Sequence, residues 1–197
     1  MALSYADVKV ILREVNLRDK PEQMLLASPK ATVPVLVLTD GTVVDESMDI
    51  VFWSLAASDP DGWLSKLDAA QLTLAKSIIE ENDGEFKQHL DQYKYADRFP
   101  TLDMQVTRAK GEAFLVKLDN RLQQSPYLMS DKISFVDVAV FPFIRQFAHV
   151  DKKWFDASRY EYLQRWLETF LESKIFTAVM KKVPVWQDCM TDVFLND

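Results

Sequence analysis

The stretch that most constrains what this chain can fold into runs from Ser28 to Ala57, SPKATVPVLVLTDGTVVDESMDIVFWSLAA. Val33-Pro34-Val35-Leu36-Val37-Leu38 is a short apolar, β-branched run, which reads as a buried strand. Asp40-Gly41 is a two-residue hairpin signal, and Thr42-Val43-Val44 is the return strand. Asp45-Glu46-Ser47 then opens a helix, with acidic and hydroxyl groups where unpaired backbone N–H groups need acceptors. Apolar residues continue from Met48 at helical spacing. Proline at the head of an interior strand removes a ladder donor, and a cis Val33–Pro34 bond is the expected explanation. Taken alone, the stretch describes a hairpin and a capped helix with no ligand. Its polar helix start beside a strand entrance is also the scaffold of a small-molecule site.

Bulk properties remove several classes of function. The 197 residues suffice for one or two units with a sizeable core. A net charge of −7 argues against a nucleic-acid or anionic-membrane partner. No apolar run approaches membrane-spanning length, and no secretory pattern opens the chain. A single cysteine, Cys189, excludes an internal disulfide and fits a reducing cytoplasm. Four unclustered glycines form no phosphate-cradling loop, and two distant histidines with one cysteine give no zinc-ligand spacing, so no metal is expected.

Along the chain, Met1–Asp7 reads as the last turns of a helix and Val8–Val15 as a strand. A polar loop follows, and Pro21-Glu22 begins a short helix that ends before Ser28-Pro29. Asp59-Pro60-Asp61-Gly62 is a dense turn cluster that separates a first domain, 1–58, from a second, 63–197. The second is helical. Leu67–Tyr95 forms a long amphipathic helix and Leu102–Gln124 another. Ser134 and Asp137 have capping-box spacing at the start of VAVFPFIRQFA, a helix apolar on nearly every side that Pro142 should bend. Tyr160–Leu171 and Lys174–Lys182 read as two further helices.

Thr32-Val33-Pro34-Val35-Leu36 followed by Asp45-Glu46-Ser47 resembles the thioredoxin-like domain of glutathione transferases, and Ser134-x-x-Asp137 matches an element that begins a central helix in their second domain. The resemblance runs from Asp7 to about Trp186. It implies a thioredoxin-like α+β unit followed by an all-α domain, with glutathione as co-substrate, a small electrophile or disulfide as second substrate, and a homodimer. Carried over position by position, it places glutathione on Lys20, Val33 with Pro34, Glu46 and Ser47. The Arg18–Glu22 segment is most similar to the omega-like and related bacterial classes, in which the matching lysine reaches the glycyl carboxylate. Tyr93, Tyr95 and Phe99 fall where the family lines its second-substrate pocket, although aromatic residues there also serve as core.

One departure bears on the chemistry. A free thiol has a pKa of about 8.5 and is mostly protonated at neutral pH. The family lowers it with a Ser, Tyr or Cys after the first strand, a segment with no match here. Ser4 and Tyr5 fall toward the far end of that first helix, so no activating residue is named. Without the first strand, the family's sheet would carry an empty slot, and a shift of Val8–Val15 into it is the expected closure. A partner's strand or a loosely ordered unit are the alternatives. A non-catalytic binding or scaffold protein on the same fold is the competing functional reading. Cys189 is expected to be a buried or inert thiol, His89 a surface residue and His149 a core-edge residue.

Overall fold

Residues 1–195 are described by a computed structural model of the chain, and they gather into two units. The first comprises Met1–Asp61 together with the C-terminal segment from Lys174 onward, and the second comprises Gly62–Ser173. The C-terminal segment, helical-domain sequence by its order in the chain, therefore packs with the N-terminal unit.

In the first unit, α1 (Ala2–Tyr5) and α2 (Glu22–Ala27) precede a hairpin of β1 (Leu36–Val37) and β2 (Val43–Val44), and α3 (Ser47–Ala57) follows. The hairpin pairs Leu36 with Val44 and Val37 with Val43. Its loop differs from the two-residue expectation. Leu38 N–H donates to the Thr42 carbonyl and Gly41 N–H to the Leu38 carbonyl, so three residues turn the chain. Gly41 takes φ +87°, a left-handed geometry that glycine adopts without penalty.

The buried strand expected at Val33–Leu38 shrinks to two residues, with Val33 47% and Val37 54% exposed. A two-stranded hairpin without a third hydrogen-bonded strand cannot cover both of its faces. The Val33–Pro34 bond is cis, as the sequence predicts. The helix α3 packs against α1, and α10 (Lys174–Val179) also contacts α1.

Val8–Val15 is not a strand, and it does not shift to pair with β1 or β2. The chain's own C-terminal segment meets it at single bridges instead, parallel at Glu14–Val185 and antiparallel at Ile11–Phe194. Trp186 N–H donates to Glu14, Leu12 N–H to Val193, and Leu195 N–H to Val10. Between the two arms the chain turns at Gln187–Met190, so neither arm is long enough to grow a ladder. Two cations secure the contact: Arg13 lies 4.6 Å from the Trp186 ring centroid and Lys9 lies 4.4 Å from that of Phe194.

The large core belongs to the second unit. It contains α4 (Ala69–Glu81), a π-helical turn (Asn82–Phe86), α5 (Lys87–Lys94), a 3-10 turn (Ala96–Arg98) and α6 (Met104–Leu122). The chain continues with α7 (Phe135–Val150), α8 (Lys152–Asp156) and α9 (Glu161–Leu171). The long helix expected over Leu67–Tyr95 is thus present but carries the wider π turn in its middle. Gly84, a poor helix former, sits in that turn. Phe86, Leu90 and Tyr93 stay on the buried side, with the Phe86 ring tilted against Phe114 at 4.7 Å and Phe147 at 5.4 Å. On α6, Gly111 faces the same cluster, where a β-carbon would come within 2.5 Å of the Phe147 ring.

The capping box at Ser134 and Asp137 forms, and α7 runs unbroken through Pro142. Asp137 does more than close the box. Its Oδ2 accepts from Ser134 N–H at 3.0 Å and from the Ser134 hydroxyl at 2.6 Å. Its Oδ1 accepts from Leu128 N–H at 2.8 Å and from Trp166 Nε1–H at 2.9 Å. Burial pushes the Asp137 carboxyl above the usual carboxylate range, and these four donors oppose that shift.

Two predictions follow from these contacts. Ser134→Ala should cost about 1 kcal/mol, whereas Asp137→Ala strands three buried N–H donors at about 1–3 kcal/mol each. Denaturant titration should therefore rank Asp137→Ala well above Ser134→Ala, with the double variant less than additive. For the first unit, removing residues 183–197 should speed hydrogen exchange at Leu12, whose amide donates to the C-terminal arm. Unchanged protection there would mean that the arm is not what shields it.

Candidate functional site

The start of α3 follows directly from β2, which delivers Asp45, Glu46 and Ser47 at one end of the hairpin. Glu46 is the N-cap residue, with extended backbone at φ −111° and ψ 135°, yet its side chain does not cap the helix. It turns instead to Lys30, whose Nζ lies 2.6 Å from Glu46 Oε1 and 3.0 Å from Asp45 Oδ1. The buried Ser28 hydroxyl donates to the other Asp45 oxygen at 2.6 Å. Hydrogen bonds from Ser28 and then Lys30 hold the Asp45 carboxyl below the usual carboxylate range. Glu46 and Asp45 in turn hold the Lys30 ammonium above its ordinary value.

Ser28, Lys30 and Asp45 were not singled out from sequence as site residues. A usable signal existed: Ser28-Pro29-Lys30 and Asp45-Glu46 flank one hairpin with opposite charge, and closing the hairpin brings the flanks together. Glu46 and Ser47 are exposed rather than buried, and so are Val33 and Pro34. Lys20 is half-buried after the turn in which Asp19 N–H donates to the Asn16 carbonyl. It joins no ion pair among the described residues.

The aromatic residues separate. Tyr93 belongs to the core, its ring 5.1 Å from that of Phe147. Burial raises its phenol above the ordinary value, against a hydrogen bond with Arg108. Tyr95 is half-buried, with Lys94 at 4.9 Å and Arg98 at 4.4 Å from its ring centroid. Phe99 is half-buried after the 3-10 turn.

Tyr5 has a structural task. Its hydroxyl donates to Asp59 Oδ1 at 3.0 Å and accepts from Asp61 N–H at 2.7 Å, tying α1 to the turn after α3. Burial, with Asp59 adding to it, pushes the Tyr5 phenol up to about 12. The hydroxyl proton is thus directed at Asp59.

Of the two alternatives for Cys189, buried or inert, the structure removes the first: Cys189 is exposed, at φ +72°. Two expectations are corrected. The histidines exchange roles: His89 is half-buried, with its Nε2 3.5 Å from Glu85, and His149 is exposed, bonded through Nδ1 to the Arg145 carbonyl. Helix phase decides this, because His89 shares the inward side of α5 with Leu90 and Tyr93. Among the described residues no group of three or more His, Cys, Asp or Glu side chains could hold a metal ion, and no helix is long and apolar enough to cross a membrane.

Residues 1–61 match the glutathione S-transferase N-terminal domain family and residues 69–169 match the glutathione S-transferase C-terminal domain family. The chain belongs to the glutathione S-transferase family. Among solved structures, it is similar to glutathione S-transferase 1-6 from Anopheles dirus species B, with 17% identity and a TM-score of 0.76 over 89% of this chain and 84% of that one. It is also similar to BphK, a bacterial GST solved as a ternary complex, with 20% identity and a TM-score of 0.75 over 90% and 88% of the two chains. A class Gtt2 glutathione S-transferase of Vibrio parahaemolyticus gives 22% identity and a TM-score of 0.65 over 85% and 80%. At these identities the likeness is one of fold. No curated protein matches by sequence.

The clasp at Tyr5 carries its own test. Because the folded phenol titrates near 12 against an ordinary value of 10, its contribution is complete below pH 10 and is lost as pH rises toward 12. Tyr5→Phe should cost about 0.5–1.5 kcal/mol at neutral pH. It should also remove part of the late phenolate absorbance in an alkaline titration. An unchanged titration curve would show that Tyr5 is not one of the late-ionising phenols.

Proposed function

We propose that this chain binds glutathione on its N-terminal unit, at the exposed face formed by Val33–Pro34 and the Glu46–Ser47 start of α3. The observation that supports the reading is the N-terminal family match over residues 1–61, a range that includes those residues. A carboxylate at Glu46 suits an α-ammonium. The Ser47 hydroxyl and the first amides of α3 suit a carboxylate. A γ-glutamyl end offers both groups on one carbon. Lys20 is the residue assigned to the glycyl carboxylate, and it joins no ion pair among the described residues.

The reaction class is attack of the glutathione thiolate on a small electrophile, with departure of a leaving group, or on a disulfide, with departure of a thiolate. In this reading Tyr95 and Phe99, both half-buried, line the second substrate's pocket. The protein works as a homodimer in a reducing cytoplasm. One observation favours a second reading, a binding protein without turnover. Tyr5, an early hydroxyl, is committed to Asp59 and Asp61 rather than to a neighbouring thiol.

Calorimetric titration with glutathione separates these readings from no binding at all. Glu46→Ala should weaken binding by about 1 kcal/mol, roughly fivefold, since the carboxylate is exposed. Equal affinity of variant and parent would remove Glu46 from the site. Binding without conjugation across a panel of electrophiles and disulfides would favour the non-catalytic reading.

A further inference from the structure

We propose that Lys30 is an internal competitor for a ligand's α-ammonium, so that glutathione must displace the chain's own ammonium from Glu46 in order to bind. The inference rests on the glutathione reading above and adds a residue that sets its affinity and selectivity. The Lys30 Nζ is a primary ammonium with three donors, the same functional group as the amino end of a γ-glutamyl ligand. It already contacts the acid assigned to that end, at 2.6 Å from Glu46 Oε1.

Asp45 cannot relieve the competition by taking the ligand's ammonium in place of Glu46. One of its oxygens accepts the Ser28 hydroxyl and the other faces Lys30 at 3.0 Å. Asp45 is instead the natural resting place for Lys30 once Glu46 is taken, because a single ammonium already spans both carboxylates. A modest side-chain swing then changes the occupant of Glu46 without creating an unpaired charge. The Lys30 and Glu46 side chains are 51% and 61% exposed, so the contact between them is weak enough for a ligand to displace.

The arrangement implies selectivity. A ligand that brings an ammonium recovers the Glu46 contact after displacing Lys30, whereas one with only a carboxylate at that end leaves Lys30 in place. Removing the lysine charge should therefore help the first kind of ligand and leave the second unchanged.

The test compares the parent with Lys30→Met, and with Lys30→Gln as a second uncharged variant, by isothermal titration at low salt. Two ligands are used: glutathione, and the analogue in which the γ-glutamyl amino group is replaced by hydrogen. Both variants should bind glutathione about two- to fivefold more tightly than the parent. The analogue's affinity should not change, and the gain for glutathione should shrink at high salt. Thermal melting checks that each variant is folded. Equal or weaker glutathione binding by both variants would overturn the proposal, weaker binding meaning that Lys30 touches the ligand favourably. An equal gain for both ligands would also overturn it, since the effect would not depend on the ammonium. If neither parent nor variants bind glutathione, the binding reading itself fails and the competition with it. That result is distinct from binding that ignores Lys30.

Discussion

The helical unit depends on one buried carboxylate. Asp137 lies beneath the start of α7 and takes four hydrogen bonds, from Ser134 twice, from Leu128 and from Trp166. These donors come from the loop before α7, from its capping residue and from α9, so one side chain sets three segments of chain. Burying a charge is costly unless its acceptor sites are filled. Here both oxygens are filled by donors that would otherwise be buried without partners. Around this point the aromatic cluster of Phe141, Trp166 and Phe170 packs, with Phe141 and Phe170 5.0 Å apart.

The first unit is held by different means. The largest fully buried side chains, among them Phe86, Phe147 and Leu163, all belong to the helical unit. The N-terminal unit buries fewer large side chains, Ile50 and Leu55 beside the small Ala2, Ala6 and Ser54, and leaves Leu26, Val33 and Val37 exposed. Its order comes from polar clasps between distant positions: Tyr5 with Asp59 and Asp61, Ser28 and Lys30 with Asp45, and the C-terminal arms against residues 10–14. Such clasps are individually weak. Their number, together with the hairpin and α3, gives the unit its form.

The candidate site inherits that character. It is a surface of exposed groups at a helix start, with charge balance set by a neighbouring lysine and not by burial. An acid that already holds a cation can discriminate among ligands by what they bring to the exchange. The same acid in isolation would attract any cation, so on the proposed competition Lys30 would give Glu46 a selectivity that its own charge lacks.

Features governed by near neighbours in sequence were legible without a structure. The hairpin followed from Asp40-Gly41 between β-branched runs, the start of α3 from Asp45-Glu46-Ser47, the cis bond from Val33-Pro34 at a strand entrance, and the capping box from Ser134 and Asp137. These choices are made by backbone sterics and by hydrogen bonds spanning three or four residues, and they carried the two-domain family architecture with them. Tertiary structure alone decided which distant groups meet. The pairing of Lys30 with Asp45 and Glu46, the Leu128 and Trp166 bonds to Asp137, the Tyr5 clasp, and the C-terminal arm that leaves Val8–Val15 without a ladder all depend on how the closed chain brings remote positions together. Local propensity does not encode that geometry, because a side chain's partner across the fold is fixed by packing and chain closure, not by its neighbours in sequence.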